Sequence, residues 1–140
     1  MTAVADTPRT VWLPAEMQAL VSALTEAQLV AATLYGECRG DPIEGVVAVA
    51  NVIKNRVMTD IEDDHTPDWW GEGYREVCLA RGQAPFSCWR PSGVADAKLL
   101  AFVRLLAAKT PITEGRQRQC LGVAYCTVEG YFLDNTKGST

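Results

Sequence analysis

The sequence holds one histidine, His65, and none of its five cysteines is spaced CxxC. A zinc ribbon or a multi-histidine metal centre is thereby excluded, since such sites draw three or four ligands from paired Cys and His. His65 lies in an acidic and then aromatic stretch, TDIEDDHTPDWWGEG, read as a solvated connector between Thr59 and Gly73 whose Trp69 and Trp70 fold back on the domain. Asp60, Glu62, Asp63 and Asp64 share the composition of a calcium loop but not its Gly and terminal Glu spacing. No metal and no cofactor are expected.

Long apolar runs are also missing, so no membrane span and no stable membrane association are expected. The N-terminus MTAVADTPRTVWLP lacks a basic start followed by an apolar run, because Asp6, Pro8 and Pro14 interrupt it, and a cytoplasmic product is expected. A surplus of positive charge is absent too. Lys and Arg number 13 against 17 Asp and Glu, a formal net charge of -4, with only Arg116 and Arg118 close together, which argues against nucleic acid as a partner. Cys38, Cys78, Cys88, Cys120 and Cys126 are an odd count, read as buried reduced thiols acting as small hydrophobes. A disulfide among Cys78, Cys88 and Cys120 in an oxidising compartment is the alternative, and spacing leaves its pairing open.

What is present fits one globular domain. A chain of 140 residues with 48% hydrophobic and 21% charged side chains can bury a core unaided. Residues 1–24 read as an N-terminal extension, in which Met17, Leu20, Val21 and Leu24 have helical spacing and Trp12 is the expected anchor on the domain's outside. Residues 25–140 form the domain proper.

The organising stretch is Thr25 to Val57, read as two helices meeting at a polar corner. Thr25 and Gln28 form a capping box, and Gly36 and Gly40 mark the end of the first helix. Ala27, Val30, Ala31, Leu34 and Cys38 make a core stripe. Glu37 stands beside that stripe, where partial desolvation disfavours a charged carboxylate. The second helix opens with Asp41 as N-cap and Pro42 at the first position. Its apolar residues, Ile43 to Val57, cover most of the circumference and predict a buried central helix, broken by a polar line of Glu44, Asn51 and Asn55.

Further along, Tyr74 to Arg81 reads as a short helix, Val94 to Lys109 as an amphipathic one with Leu99, Phe102, Val103 and Leu106 inward, and Arg118 to Leu133 as another. In the last, Leu121, Val123, Ala124, Val128, Tyr131 and Phe132 are available for burial. Between them Gly82 to Trp89 is irregular, with aromatic, amide and hydroxyl groups that suit either a saccharide site or a packed loop closing the core. The elements predict a mainly α fold, with α+β as the alternative.

The string YGECRGDPIEGVVAVANVIKNRV resembles the signature of the spore-cortex-lytic type of bacterial cell wall hydrolase, the SleB/CwlJ family, and VCLARGQAPFSCW is similar to a block of its phage-borne members. The tail DNTKGST is similar to a third stretch, although family members run on into a His or Tyr pair where this chain stops at Thr140. The resemblance, over roughly Thr25 to Thr140, implies a lysozyme-like, lytic-transglycosylase-like single domain acting on peptidoglycan glycan strands as a phage or prophage endolysin, a monomer held in the cytoplasm until released to the periplasmic wall. It implies Glu37 as the catalytic acid. Tyr35 and Ser87 are expected around the reacting sugar, Gln83, Phe86 and Trp89 along the saccharide groove, and Asn51 and Asn55 as residues that orient the reacting groups.

Three alternatives accompany that reading. One is a hydrolytic muramidase with a second carboxylate between Asp41 and Asp68. Another is a cysteine peptidase using a thiol with His65, although nothing in the sequence orients that histidine. The last is a non-catalytic wall-binding or virion structural domain. For Glu37 itself the plain alternative is a surface ion pair to Arg39 or Arg56.

Overall fold

The structure is a computed structural model that describes residues 13–62, 73–80, 86–90 and 96–130. The described chain is mainly helical, without a strand. Its elements are α1 (Ala15–Ser22), α2 (Glu26–Cys38), α3 (Ile43–Glu62), α4 (Gly73–Leu79), a 3-10 turn (Ser87–Trp89), α5 (Ala97–Ala107) and α6 (Gly115–Glu129).

The α2 helix starts as its sequence requires. The Gln28 amide N–H donates to Thr25 Oγ1 at 3.1 Å and the Thr25 N–H donates to Gln28 Oε1 at 2.9 Å, so both donors of the capping box are satisfied. The predicted stripe of Ala27, Val30, Ala31, Leu34 and Cys38 is buried, and so are Leu29, Ala32, Thr33 and Tyr35. The centre of the fold is therefore α2, which packs against α3, α4, α5, α6 and the 3-10 turn. Its Ala27, Ala31, Ala32 and Gly36 keep the surface low and let the neighbours approach, while Leu29 and Leu34 each contribute about 1.5–3 kcal/mol of apolar burial.

The expectation of a central α3 is corrected. Val46, Ala50, Ile53 and Val57 are buried, but Val47, Val49 and Val52 are only half-buried and Ile43 is exposed. A wide apolar circumference of β-branched residues does not itself make a helix central; the helix with the smaller side chains took the middle. The α3 helix also runs on to Glu62 instead of ending near Val57, because no breaker interrupts Thr59 to Glu62. At its start the Pro42 carbonyl accepts the N–H groups of Gly45 at 2.9 Å and Val46 at 3.4 Å.

Gly36 is not a helix end. It lies inside α2, and a Cβ built on it would stand 2.6 Å from Cys88 Cβ and 2.8 Å from Cys88 Sγ. Glycine is there because the 3-10 turn sits directly on the helix.

On the other side α6 faces α2 and α3 with Gln117, Cys120, Ala124 and Thr127 buried. The expected face of Leu121, Val123 and Val128 is only half-buried, and Tyr131 and Phe132 lie outside the described residues. A small and partly polar face approaches α2 closely, and hydrophobicity does not reveal such a face. Both late helices start where an acid caps them. Asp96 Oδ1 accepts the N–H groups of Lys98 at 2.8 Å and Leu99 at 3.4 Å, so α5 starts three residues after the predicted Val94. Glu114 accepts the N–H groups of Arg116 and Gln117, so α6 starts before the predicted Arg118. Leu99, Phe102, Val103 and Leu106 of α5 are buried as predicted.

The α1 helix contributes Met17 and Val21 to the same core and packs on α5, with an Arg104–Glu16 ion pair across the contact. Arg75 ties α4 to the end of α1, donating to the carbonyls of Val21 at 3.0 Å and Leu24. Trp12, His65, Asp68, Trp69, Trp70, Gln83 and the tail from Tyr131 lie outside the described residues. No described helix is long and apolar enough to cross a membrane.

Candidate functional site

Glu37 occupies the last turn of α2, half-buried, where the 3-10 turn crosses the helix. Its Oε2 accepts the Cys88 backbone N–H at 2.7 Å and the Ser87 hydroxyl at 3.3 Å. One oxygen thus takes both donors of the turn, and the turn is set by Gly36 one residue earlier in α2. The surface ion pair considered for Glu37 is replaced by other contacts. Arg39 is paired with Asp96 and lies 5.5 Å from the Tyr35 ring centre, while the Arg56 guanidinium lies 5.2 Å from that of Phe86.

Behind the turn is a buried polar chain. Trp89 Nε1–H donates to Thr33 Oγ1 at 3.0 Å, and the Thr33 hydroxyl donates to the Leu29 carbonyl at 2.8 Å. Trp89 and Thr33 are both fully buried. The Cys88 thiol points the same way, 3.9 Å from the Thr33 carbonyl. The turn is therefore gripped on two sides, by Glu37 at its amide and by Thr33 at its indole.

Of the residues the sequence singled out, Glu37 and Ser87 come together directly. Trp89 does not line a groove: its side chain is core, held by Thr33. Phe86 is buried beneath Arg56, and Tyr35 is buried with its ring edge against Phe102, centroids 5.0 Å apart. On α3 Asn51 is buried and donates back to the Val47 carbonyl at 3.0 Å, Asn55 is half-buried, and neither is without a partner. Gln83 lies outside the described residues.

Sequence reasoning missed Thr33, Gly36 and the Arg39–Asp96 pair. A glycine inside a helical pattern was the available signal for Gly36. Arg39 is a second polar element near the carboxylate. Its hydrogen bond to Asp96 raises the Arg39 guanidinium above its ordinary value and holds the Asp96 carboxyl below the usual carboxylate range. Arg39 Nη1 and Arg116 Nη1 are buried without a hydrogen-bond partner among the described residues.

The thiols nearby are poor nucleophiles. Burial, with help from Asp41 and Glu37, pushes Cys38 up to about 11, and burial pushes Cys78 and Cys120 up to about 12. Cys88 is raised well above the ordinary thiol value by burial first and by Glu37 second. A thiolate is the reactive form, so these four favour an inert structural role. Among the described residues no three His, Cys, Asp or Glu side chains group as metal ligands.

A separate cavity of about 400 Å³ opens elsewhere, lined by Gln28, Leu106, Lys109, Thr110, Ile112, Arg118, Leu121 and Tyr125. Gln28 and Glu37 are nine positions apart on α2, about two and a half turns, which sets them on opposite sides of the helix and about 13 Å apart along its axis. The cavity and the Glu37 corner are distinct places.

No family model matches this chain, and no curated protein or solved structure matches it.

Proposed function

We propose that this chain cleaves the glycan strands of bacterial peptidoglycan, at the bond from N-acetylmuramic acid to N-acetylglucosamine, on a lysozyme-like helical domain with Glu37 as the reacting carboxyl. The observation that carries the reading is the fixed Glu37 carboxyl, half-buried and held through Oε2 by the Cys88 N–H at 2.7 Å. The two sequence blocks that resemble cell wall hydrolases meet at this contact, one supplying Glu37 and the other Ser87 and Cys88.

A single positioned carboxyl suits a lytic transglycosylase. Glu37 as acid gives its proton to the glycosidic oxygen, and the bond from the muramic acid C1 to that oxygen breaks. The sugar's own C6 hydroxyl then bonds to C1 and returns its proton to the Glu37 carboxylate, leaving a 1,6-anhydro end with no water consumed. Ser87 and the Cys88 amide orient the carboxyl through both proton transfers, and the buried Thr33–Trp89 bond keeps their turn in place.

A second reading keeps the substrate and adds a carboxylate, giving a hydrolytic muramidase. The favouring observation is that the Asp41 N–H donates to the Cys38 carbonyl at 2.9 Å, which sets a second acid in the turn that follows Glu37. A third, non-catalytic wall-binding reading is favoured by the fact that Glu37 also holds a turn. Glu37→Gln separates the two catalytic readings from the non-catalytic one, since the amide oxygen still accepts the Cys88 N–H, and the released ends, anhydro or reducing, separate the catalytic readings from each other. The expected result is loss of soluble fragment release from purified sacculi with a nearly unchanged melting temperature. Undiminished release by the variant removes Glu37 from the chemistry, and wild-type binding without release supports the non-catalytic reading.

A further inference from the structure

The cavity on the far side of α2 has a lining of one sign. Lys109 and Arg118 are its ionic groups, Leu106, Ile112 and Leu121 its apolar surface, and Tyr125, an exposed aromatic, stands at its edge. No carboxylate lines it, although the chain carries a net charge of -4. Neither cation has an ion-pair partner among the described residues. Gln28 is part of the frame, since its amide is committed to the Thr25 cap and donates to the Leu106 carbonyl at 3.4 Å.

A second observation comes from the backbone. The α5 helix ends with the Lys109 N–H donating to the Leu106 carbonyl at 3.1 Å and the Thr110 N–H to the Leu105 carbonyl at 3.0 Å, the double bond pattern that normally closes on a glycine. Here the left-handed position is filled by Lys109, at φ 59°. An L side chain is strained there and glycine would relieve it, and this strained lysine stands in the wall of the cavity.

We propose that this cavity binds a small organic anion, a carboxylate with an apolar body of about acyl-dipeptide size, with Lys109 and Arg118 on the carboxylate and Leu106, Ile112 and Leu121 under the body. Its volume falls within the range of small-ligand pockets, roughly 300–1,000 Å³. The guanidinium of Arg118 supplies the planar pair of donors that a carboxylate matches. The site stands apart from Glu37 and does not depend on the proposed glycan chemistry.

The test is titration of the full chain with acetyl-alanyl-alanine as free acid, its C-terminal amide, and hexanoate, read by amide chemical shifts in NMR. The free acid is expected to shift Lys109, Thr110, Ile112, Arg118 and Tyr125 in a saturable way, with the C-terminal amide binding about tenfold more weakly. Arg118→Gln is expected to weaken the acid about fivefold or more and leave the amide unchanged. Lys109→Gly gives the sharper outcome: a higher melting temperature together with weaker acid binding, opposite signs that a purely structural lysine would not produce. Hexanoate binding as tightly as the dipeptide assigns the site to organic acids at large; tighter dipeptide binding assigns it to peptide carboxylates. Equal binding of acid and amide, no saturable shift with either anion, or indifference to Arg118→Gln overturns the proposal. Glu37→Gln is expected to leave the titration unchanged, so failure here and failure of the glycan reading are separately visible.

Discussion

Replacing Gly36 by Ala sets two physical effects against each other. An alanine inside a helix is favoured over glycine by about 1 kcal/mol, so propensity alone predicts a more stable protein. The added methyl would stand 2.6 Å from Cys88 Cβ and 2.8 Å from its Sγ, inside any ordinary contact, and overpacking of this kind costs about 1–3 kcal/mol. The net expectation is destabilisation by up to about 2 kcal/mol, the difference of those terms. Relief comes by moving the 3-10 turn, and the turn carries the donors on Glu37, so activity on sacculi should fall further than stability. Urea unfolding of four proteins, the wild type, Gly36→Ala, Cys88→Gly and the double variant, checks this. The double variant moves the small residue across the contact and should recover about 1–2 kcal/mol relative to additivity. A Gly36→Ala protein more stable than the wild type, with an additive cycle, would refute the close approach of helix and turn.

Three further outcomes follow from named contacts. Thr33→Val leaves the buried Trp89 Nε1–H without its 3.0 Å acceptor and should cost about 1–3 kcal/mol in denaturant unfolding; an unchanged midpoint would contradict the buried bond. Asp96→Asn keeps a good α5 cap but loses the Arg39 ion pair, a difference of up to about 1 kcal/mol. Because the folded Asp96 carboxyl lies below its unfolded value near 3.9, that contribution is present above about pH 4 and lost as the pH falls through the folded value. Melting curves of both proteins should thus differ by a constant amount from pH 5 to 8 and converge in stronger acid, and a gap that widens there would be inconsistent. Finally, iodoacetamide on the native protein near neutral pH should leave Cys38, Cys78, Cys88 and Cys120 unmodified by mass spectrometry and activity intact. Rapid alkylation of Cys88 with loss of activity would favour thiol chemistry instead.

The features that the sequence made legible are those written in local chemistry. The Thr25–Gln28 capping box, the α2 stripe and the inward face of α5 each follow from short-range pattern, and each is found in the structure. What stayed hidden depended on size rather than polarity. The placement of α2 at the centre, ahead of the longer α3 with its many β-branched residues, comes from small residues that let five neighbours close in. The inward face of α6 reads as unremarkable because Gln117, Cys120, Ala124 and Thr127 are small or polar, while the larger Leu121 and Val123 remain half-buried. At the site, Glu37 and Ser87 were each legible as candidates but their contact was not, and Trp89 and Phe86 read equally well as a sugar platform and as core. The Thr33 hydroxyl beneath the indole and the Arg56 guanidinium over the phenyl ring, both long-range contacts, bury them.

The most direct measurement is mass spectrometry of soluble products from purified sacculi, digested by the wild type and by Glu37→Gln. The expected result is disaccharide-peptide fragments carrying 1,6-anhydro-muramic acid ends from the wild type and none from the variant. Reducing ends would move the chemistry to hydrolysis with a second carboxylate, and equal product from the variant would contradict the role given to Glu37.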